Sequence, residues 1–141
     1  MAPDFATSTD ARATYDEALS AGNKPWASAA PVKIVVIGNP AEQPDRNGLH
    51  TWLLDCGLAL ENMLIQGYAM GMTIHAMAGY DEKKLLSGFG IPDPFRVAAI
   101  VAAGWRGKVE SLPEEVRAKD LKPRTRKPAG EFVFRDRFTP R

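Results

Sequence analysis

Few side chains in this sequence are of the kinds that carry out covalent or acid–base chemistry. The chain has one cysteine, Cys56, and two histidines, His50 and His75. A nucleophilic thiol needs a neighbouring base and partial exposure, whereas Cys56 lies in the apolar part of a predicted helix, which favours an inert buried thiol. His50 is expected to be solvated or structural, and His75, close to Gly79, is a candidate for the edge of a site.

The motifs of metal, nucleophile and phosphate-loop chemistry are missing from the sequence. No His-x-x-x-His or Cys-x-x-Cys spacing occurs, and no Ser-His-Asp set or carboxylate pair stands out. Gly104–Lys108 invites a phosphate-loop interpretation, but that loop needs glycine where Ala102 stands and Ser or Thr where Val109 stands. Ser87–Gly90 lacks the strand-to-helix context of a dinucleotide fingerprint and is interpreted as a helix stop. The sequence therefore predicts no catalytic side chain and no metal ligand.

Two local features remain as candidates for ligand binding. Ala78 and Gly79 form a small pair between two elements, which can present backbone N–H groups to a flat ligand without an intervening side chain. An ordinary turn is the alternative for this pair. Arg124, Arg126 and Lys127, called here the basic cluster, could clamp a phosphate by charge-assisted hydrogen bonds. A solvated charged face is the alternative for the cluster.

Length and composition indicate one globular domain over residues 1–141, with 45% hydrophobic and 25% charged residues. Residues 1–9 are expected to be disordered, and residues 117–141 are expected to form an extended basic arm. The net charge of +1 argues against a surface that is positively charged throughout, as nucleic-acid binding would favour. One cysteine requires no oxidising compartment, and the sequence shows no secretory signal and no apolar run of roughly 18 residues. A cytoplasmic protein without membrane or nucleic-acid partners is therefore expected.

The elements that must position these features are those of an α+β domain. Val32–Ile37 and Arg96–Ala103 are short apolar runs typical of buried strands, and Glu131–Phe134 could add an edge strand. Arg46–Gly71 is predicted to be a long helix with a wide apolar arc, which indicates more than one packing neighbour. Shorter helices are predicted at three places: Ala11–Ala21, Asp81–Leu86 and a segment that opens at Leu112.

Several segments match short motifs in a fixed order. Asp55–Leu64 is similar to D-x-G-(L/I)-A-x-x-N-(L/M)-(L/M), and His75–Asp81 is similar to H-P-M-x-G-(F/Y)-D. Arg126–Val133 is similar to R-K-P-L-x-E-(F/I)-V. Other segments that fit the same order are Gly22–Trp26, Ala69–Met72, Phe89–Pro92 and Leu112–Glu115. Together, from about Asn23 to Phe134, they resemble the FMN-dependent nitroreductase family.

This resemblance implies a nitroreductase-like fold, with a mixed sheet flanked by helices and an obligate homodimer whose interface contains the long helix. It implies FMN bound between subunits, with Ala78 and Gly79 facing the flavin ring and the basic cluster reaching the FMN phosphate. The implied activity is NAD(P)H-dependent reduction of a nitro-aromatic, quinone or similar acceptor. The cofactor performs the redox step in such enzymes, so the resemblance requires no catalytic side chain.

The chain also departs from the family pattern. Members usually carry an R-R-S-x-R segment that grips the phosphate, and a P-S-x-x-N-x-Q-P-W segment ahead of the first strand. Neither is found here, and Arg12 is the only arginine before Arg46. The expectation is a short form that lacks the usual N-terminal segment and has fewer phosphate contacts. Two alternatives stay open: a non-catalytic nitroreductase-fold homodimer or small-molecule binding module that has lost FMN, and a nucleic-acid binder that uses the basic tail.

Overall fold

The computed structural model describes residues 9–139, which form helices around a small sheet. The helices are α1 (Thr9–Ala18), α2 (Lys24–Ala27), α3 (Thr51–Ala69), α4 (Glu82–Gly88) and α5 (Glu114–Asp120). The strands are β1 (Val32–Gly38), β2 (Thr73–Met77) and β3 (Arg96–Gly104). Two short 3-10 helices cover Val109–Ser111 and Ala129–Glu131. Within residues 9–139, no helix is both long enough and apolar enough to cross a membrane. The α+β fold class is confirmed.

The sheet is built around β3, which pairs with β1 on one side and β2 on the other, antiparallel in both cases. The predicted strands at Val32–Ile37 and Arg96–Ala103 are confirmed within one residue at their ends. Both were recognisable as short apolar runs, and the first is also rich in β-branched residues. β2 was not predicted. Its residues alternate between exposed and covered positions, which is the period-two pattern of a half-buried strand, but the segment has a mixed composition.

One face of the sheet packs against α1, α2 and α4 and forms the buried core. Tyr15 of α1 is fully buried, and its hydroxyl donates a hydrogen bond to the carbonyl oxygen of Val101 at 2.8 Å. Leu85 of α4 and Ile100 of β3 have no exposed surface. The hydroxyl therefore satisfies its hydrogen bond within an otherwise apolar layer, as a buried polar group must.

The other face of the sheet packs against α3, and two glycines allow the close approach. A Cβ atom on Gly67 would lie 2.2 Å from Cδ1 of Ile74, so this helix residue presses directly on β2. A Cβ atom on Gly38 would lie 2.6 Å from Cε3 of Trp52, at the end of β1. Glycine is therefore required where the backbone of one layer meets side chains of the other.

The long helix begins at Thr51 rather than at Arg46, so the predicted start is wrong. Asn47 and Gly48 have φ angles of 53° and 76°, and Arg46 pairs with Leu49 across them. An Asn-Gly pair with two positive φ angles forms a tight turn that cannot continue into a helix. The helix ends at Ala69, since Gly71 has a φ of 74° and the N–H of Met72 bonds back to the carbonyl of Gly67.

The C-terminal part of the described chain contains turns where Glu131–Phe134 was predicted to form an edge strand, and that prediction is wrong. The N–H groups of Phe132 and Val133 both bond to the carbonyl of Ala129, which closes a local turn after Pro128. These local hydrogen bonds take the place of strand pairing. Residues 117–120 are the last turn of α5, and the arm is non-helical from Leu121 to Pro128. Residues 1–9 were predicted to be disordered. Residues 1–8 lie outside the described residues, and Thr9 is the first residue of α1.

The contact between Gly67 and Ile74 gives a stability prediction. We expect Gly67→Val to lower the free energy of unfolding by about 1–3 kcal/mol, because the new side chain must displace Ile74 or separate α3 from the sheet. No atom lies within 4 Å of a Cβ placed on Gly57 of the same helix. Gly57→Ala should therefore raise stability by about 0.5–1 kcal/mol. Urea unfolding at one fixed protein concentration measures both, and equal effects would contradict the close-packing account.

Candidate functional site

The candidate site lies at one end of the sheet. β1 and β2 both run antiparallel to β3, so they are parallel to each other. Their carboxyl ends and the amino end of β3 consequently meet at the same edge. Ala78 and Gly79 follow β2 directly at this edge, where Ala78 is exposed and Gly79 is partly covered. The pair thus occupies an open position at the strand ends.

The turn at Gly79 is held by the end of α1 and the residues after it. The carbonyl oxygen of Gly79 accepts two hydrogen bonds of 3.1 Å, one from the N–H of Ser20 and one from Nδ2 of Asn23. The N–H of Asp81 bonds to the carbonyl of Ala18 at 2.8 Å. Three hydrogen bonds therefore tie the chain from Ala78 to Asp81, called here the Gly79 turn, to the opposite segment.

The Gly79 turn contains a backbone donor that is available to a ligand. Among residues 9–139, the structure records no hydrogen bond from the N–H of Gly79. A Cβ atom on this residue would lie 2.8 Å from Oγ of Ser20 and 2.9 Å from Nδ2 of Asn23, so glycine alone fits. The turn therefore combines a fixed backbone with a donor that is available to a ligand.

Ser20 and Asn23 are site residues that the sequence analysis missed. Asn23 had appeared only as part of a matched motif, and its partner Gly79 is 56 residues away in the chain. The usable signal was the Ser-x-x-Asn spacing two residues before Pro25, which is typical of a side chain that caps a turn. His75 lies on β2, and its ring meets the ring of Trp26 edge-on with 4.9 Å between centroids. This contact brings His75 to the segment that holds the Gly79 turn.

A cavity of about 640 Å³, the strand-end cavity, opens at the same edge of the sheet. Its lining includes Tyr80 and Trp52 of α3. The Tyr80 hydroxyl donates to the carbonyl of Val97 at 2.8 Å, and burial followed by the nearby Glu82 carboxylate raises the Tyr80 pKa. Nδ1 of His50 lies 2.9 Å from Oδ1 of Asp45 at the rim. The cavity is large enough for a small organic molecule.

An ion pair lines the strand-end cavity. Nε and Nη2 of Arg96 donate to the two carboxylate oxygens of Glu82, both at 2.8 Å, and the N–H of Val97 also donates to Glu82 at 3.0 Å. The hydrogen bonds from Arg96 lower the Glu82 pKa, with a smaller contribution from Val97. The same pairing raises the Arg96 pKa. Glu82 thereby ties the first turn of α4 to the start of β3.

The thiol of Cys56 is not set up as a nucleophile. Its Sγ atom lies 3.9 Å from the carbonyl oxygen of Ile37, and burial followed by the adjacent Asp55 raises its pKa. A raised pKa reduces the reactive thiolate. Within residues 9–139, no group of three or more His, Cys, Asp or Glu side chains is arranged to hold a metal ion.

The structure does not bring the two predicted parts of the site together within one chain. Arg124, Arg126 and Lys127 are exposed in the irregular segment that follows α5. The recorded bond of this cluster is local, from Nη1 of Arg126 to the carbonyl of Thr125 at 2.7 Å. Across the described residues, no hydrogen bond or ion pair links the cluster to Ala78 or Gly79.

Comparison with known proteins gives a consistent result. The model described as "Nitroreductase family" matches residues 3–105. An uncharacterized 15.4 kDa protein in the ask 5' region of Mycolicibacterium smegmatis is 31% identical over 120 residues, which are 85% of this chain and 79% of that protein. An oxidoreductase containing FMN superposes with a TM-score of 0.80 at 28% identity, over 95% of this chain and 68% of that one. A nitroreductase family protein from Clostridium novyi NT has a TM-score of 0.63 at 26% identity, over 70% and 58% of the two chains.

The Glu82–Arg96 pair predicts a specific pH dependence. Because the folded-state pKa of Glu82 is lowered, its contribution to stability is present above the unfolded-state pKa of about 4.3 and is lost as the pH falls through the folded-state value. We expect Glu82→Gln to be less stable than the unmodified protein at pH 7, and the difference to vanish in acid. Urea unfolding across this pH range measures it. Glu110 is exposed and has no recorded ion pair within residues 9–139, so Glu110→Gln is the control and should show no such pH dependence. A stability difference between Glu82→Gln and the unmodified protein that stays constant at all pH values would refute the prediction.

Proposed function

The chain belongs to the nitroreductase family, and on that premise we propose that it is a flavoprotein that binds FMN and uses it as an NAD(P)H-dependent oxidoreductase. The observation that carries this proposal is the Gly79 turn. It offers a partnerless backbone N–H beside the exposed, small Ala78, so a flat ring can approach without obstruction. The FMN-containing oxidoreductase among the similar structures supports flavin as that ring.

The residues present suit a flavin at its ring end. A hydrogen-bond donor at the Gly79 N–H can face an acceptor atom at the ring edge, and the double clamp on the Gly79 carbonyl holds that donor in place. Glycine at this position also keeps the backbone close to the ligand. The turn therefore supplies orientation, which is the protein's main contribution in cofactor enzymes.

The phosphate end of FMN is proposed to lie against the basic cluster. Arg124, Arg126 and Lys127 place three positive charges within four residues, and they are exposed in the described structure. Guanidinium groups bind phosphate oxygens in a bidentate manner, which makes arginine well suited to this role. The cluster would meet the Gly79 turn in the assembled dimer.

FMN, when bound, would supply the redox chemistry, by taking a hydride from NADH or NADPH and passing two electrons to a nitro-aromatic, quinone or similar acceptor. The chain's own residues would bind and orient the reactants. The strand-end cavity, with the aromatic ring of Trp52 and the polar rim of His50 and Asp45, is the space proposed for the acceptor. No side-chain nucleophile or general base enters this proposal.

A homodimer is proposed because α3 leaves an apolar stripe uncovered. Leu54, Leu58 and Ile65 are 62%, 59% and 59% exposed, and Tyr68 is 85% exposed. These four positions fall within about 80° of the helical wheel, a stripe that is interrupted by Glu61. Large exposed apolar patches mark interfaces in most soluble proteins. A second copy of the chain, pairing the same stripe by a two-fold axis, would cover it.

The separation of the basic cluster from the Gly79 turn favours one competing function. A nitroreductase-fold dimer that binds another small molecule, or none, would need no contact between the two. Flavin binding distinguishes the two functions directly. The next experiment is therefore designed around the phosphate of FMN, which riboflavin lacks.

We expect the purified protein to bind FMN and to show visible flavin absorbance. Replacing Arg124, Arg126 and Lys127 together by Gln should weaken FMN binding by at least about tenfold, or roughly 1.4 kcal/mol, because charge-assisted phosphate contacts are lost. Riboflavin affinity should not change. Fluorescence titration of both ligands measures the effect.

The matched control for this triple variant is Lys108, Lys119 and Lys122 changed together to Gln, which removes the same charge from nearby exposed positions. It should bind FMN normally. Failure of the unmodified protein to bind FMN would refute the flavoprotein proposal and favour the competing function.

We expect the protein to be a dimer in size-exclusion chromatography with light scattering. Leu58→Arg should convert it to a monomer, because a charge would be buried in the middle of the apolar stripe. Gln66→Arg adds the same charge to an exposed polar position of the same helix and should leave the dimer intact. A monomeric unmodified protein at micromolar concentration would contradict the assembly.

A further inference from the structure

A second cavity, of about 200 Å³, lies between α1 and the edge strand β1. It shares no lining residue with the strand-end cavity and is therefore a separate space. Its apolar surface comes from Tyr15, Pro31, Val35 and Phe89, and its charged surface from Arg12 and Lys33. We call it the α1–β1 cavity. Nothing in the proposed flavin chemistry uses it.

The ammonium group of Lys33 is buried at the wall of the α1–β1 cavity. The Lys33 side chain is only 5% exposed, and its Nζ atom bonds to Oδ1 of Asp16 at 2.5 Å. The same Nζ atom lies 5.6 Å from the centre of the Tyr15 ring, within the range of a cation–π contact. An ammonium carries three N–H donors, and one of them is used by Asp16. Lys33 thus retains donor capacity toward the cavity.

The guanidinium of Arg12 is held at the same cavity by backbone oxygens. Nη2 of Arg12 donates to the carbonyl of Ala30 at 3.2 Å, and Nη1 donates to the carbonyl of Pro31 at 3.4 Å. These bonds fix the group in position without neutralising its charge. A guanidinium has five N–H donors, so others remain for a ligand.

The charges around the α1–β1 cavity do not cancel. Arg12 and Lys33 contribute two positive charges and Asp16 contributes one negative charge, so the group carries a net charge of +1. Tyr15 does not offset this, because its hydroxyl donates to Val101, and burial followed by the Asp16 carboxylate raises its pKa. A single negative charge on a ligand would balance the cavity.

We propose that the α1–β1 cavity binds a small organic monocarboxylate, with its carboxylate on Arg12 and Lys33 and its apolar part against Val35 and Phe89. The volume sets the size of the ligand. At about 30 Å³ for each water-sized group, the cavity holds roughly seven non-hydrogen atoms, which matches a small branched-chain acid or the carbon skeleton of benzoate, whose carboxylate oxygens would lie on Arg12 and Lys33. The apolar surface excludes small inorganic anions as the best fit, since they would leave it uncovered.

Benzoate is the probe that tests this proposal, and calorimetric titration of the full chain is the measurement. Benzamide has the same shape without the charge and is the matched control ligand. We expect benzoate to bind at least tenfold more tightly than benzamide. Equal affinities, or no binding of benzoate at millimolar concentration, would overturn the proposal.

Variants at the cavity mouth locate the binding. Arg12→Gln should weaken benzoate binding at least tenfold and leave benzamide binding unchanged. Phe89 is 38% exposed at the rim, so its replacement does not depend on the buried ion pair. Phe89→Glu should bind benzoate at least tenfold more weakly than Phe89→Gln, because only the first places a negative charge at the mouth.

Lys24 is exposed on α2 and does not line the cavity, so Lys24→Gln should bind benzoate like the unmodified protein. If Arg12→Gln does not fold, the Phe89 pair still decides the outcome. Benzoate binding that is equal in Phe89→Glu and Phe89→Gln would place the ligand elsewhere and overturn the proposal. The titration is repeated with saturating FMN, and benzoate affinity should not change, because the α1–β1 cavity shares no lining residue with the strand-end cavity or the Gly79 turn.

Discussion

β3 carries small or branched apolar residues on both of its faces, and both faces must be kept from water. Ile100 and Ala102 point into the layer formed by α1, α2 and α4, whereas Val101 and Ala103 point toward α3, and all four are at most 5% exposed. A strand of this kind must lie in the middle of a sheet with a layer on each side. This requirement explains why β3 has an edge strand on each side. It also explains why three helices cover one face of the sheet and the single long helix covers the other. The carboxyl ends of β1 and β2 are then brought to one edge, where the Gly79 turn and the strand-end cavity lie.

Local sequence signals predicted the parts of the fold that local forces determine. The apolar runs of β1 and β3 and the helix predicted at Asp81–Leu86 were recognisable from a few residues each. The Asp81 side chain caps this helix by accepting from the N–H of Lys84. β2 was missed although its residues alternate, because it is a five-residue segment of mixed composition and its pairing with β3 depends on residues far away in the chain. The Asn47–Gly48 turn overrode a helical pattern that continued through it. Backbone conformation decided that boundary, not hydrophobic periodicity.

The candidate site was predictable only in part for the same reason. The position of Gly79 followed from a motif, but the residues that hold its carbonyl could not be found by scanning neighbours, since Asn23 lies on the far side of two strands and a long helix in sequence. The basic cluster was identified by composition alone, and its surroundings in a single chain are solvent. The lack of a predicted catalytic side chain is expected where a cofactor carries out the redox chemistry. The protein then has to bind and orient the cofactor and substrate and need not supply reactive groups.

The double hydrogen bond to the carbonyl of Gly79 has a consequence for the thermodynamics of recognition. A loop that becomes ordered only when its ligand arrives loses conformational entropy at that moment, and affinity is reduced by the same amount. The Gly79 turn is already closed by Ser20, Asn23 and the Asp81–Ala18 contact, so this loss has occurred during folding. A ligand that docks there meets a preorganised surface. Its affinity should then reflect the contacts it makes, with little free energy spent on rearranging the chain.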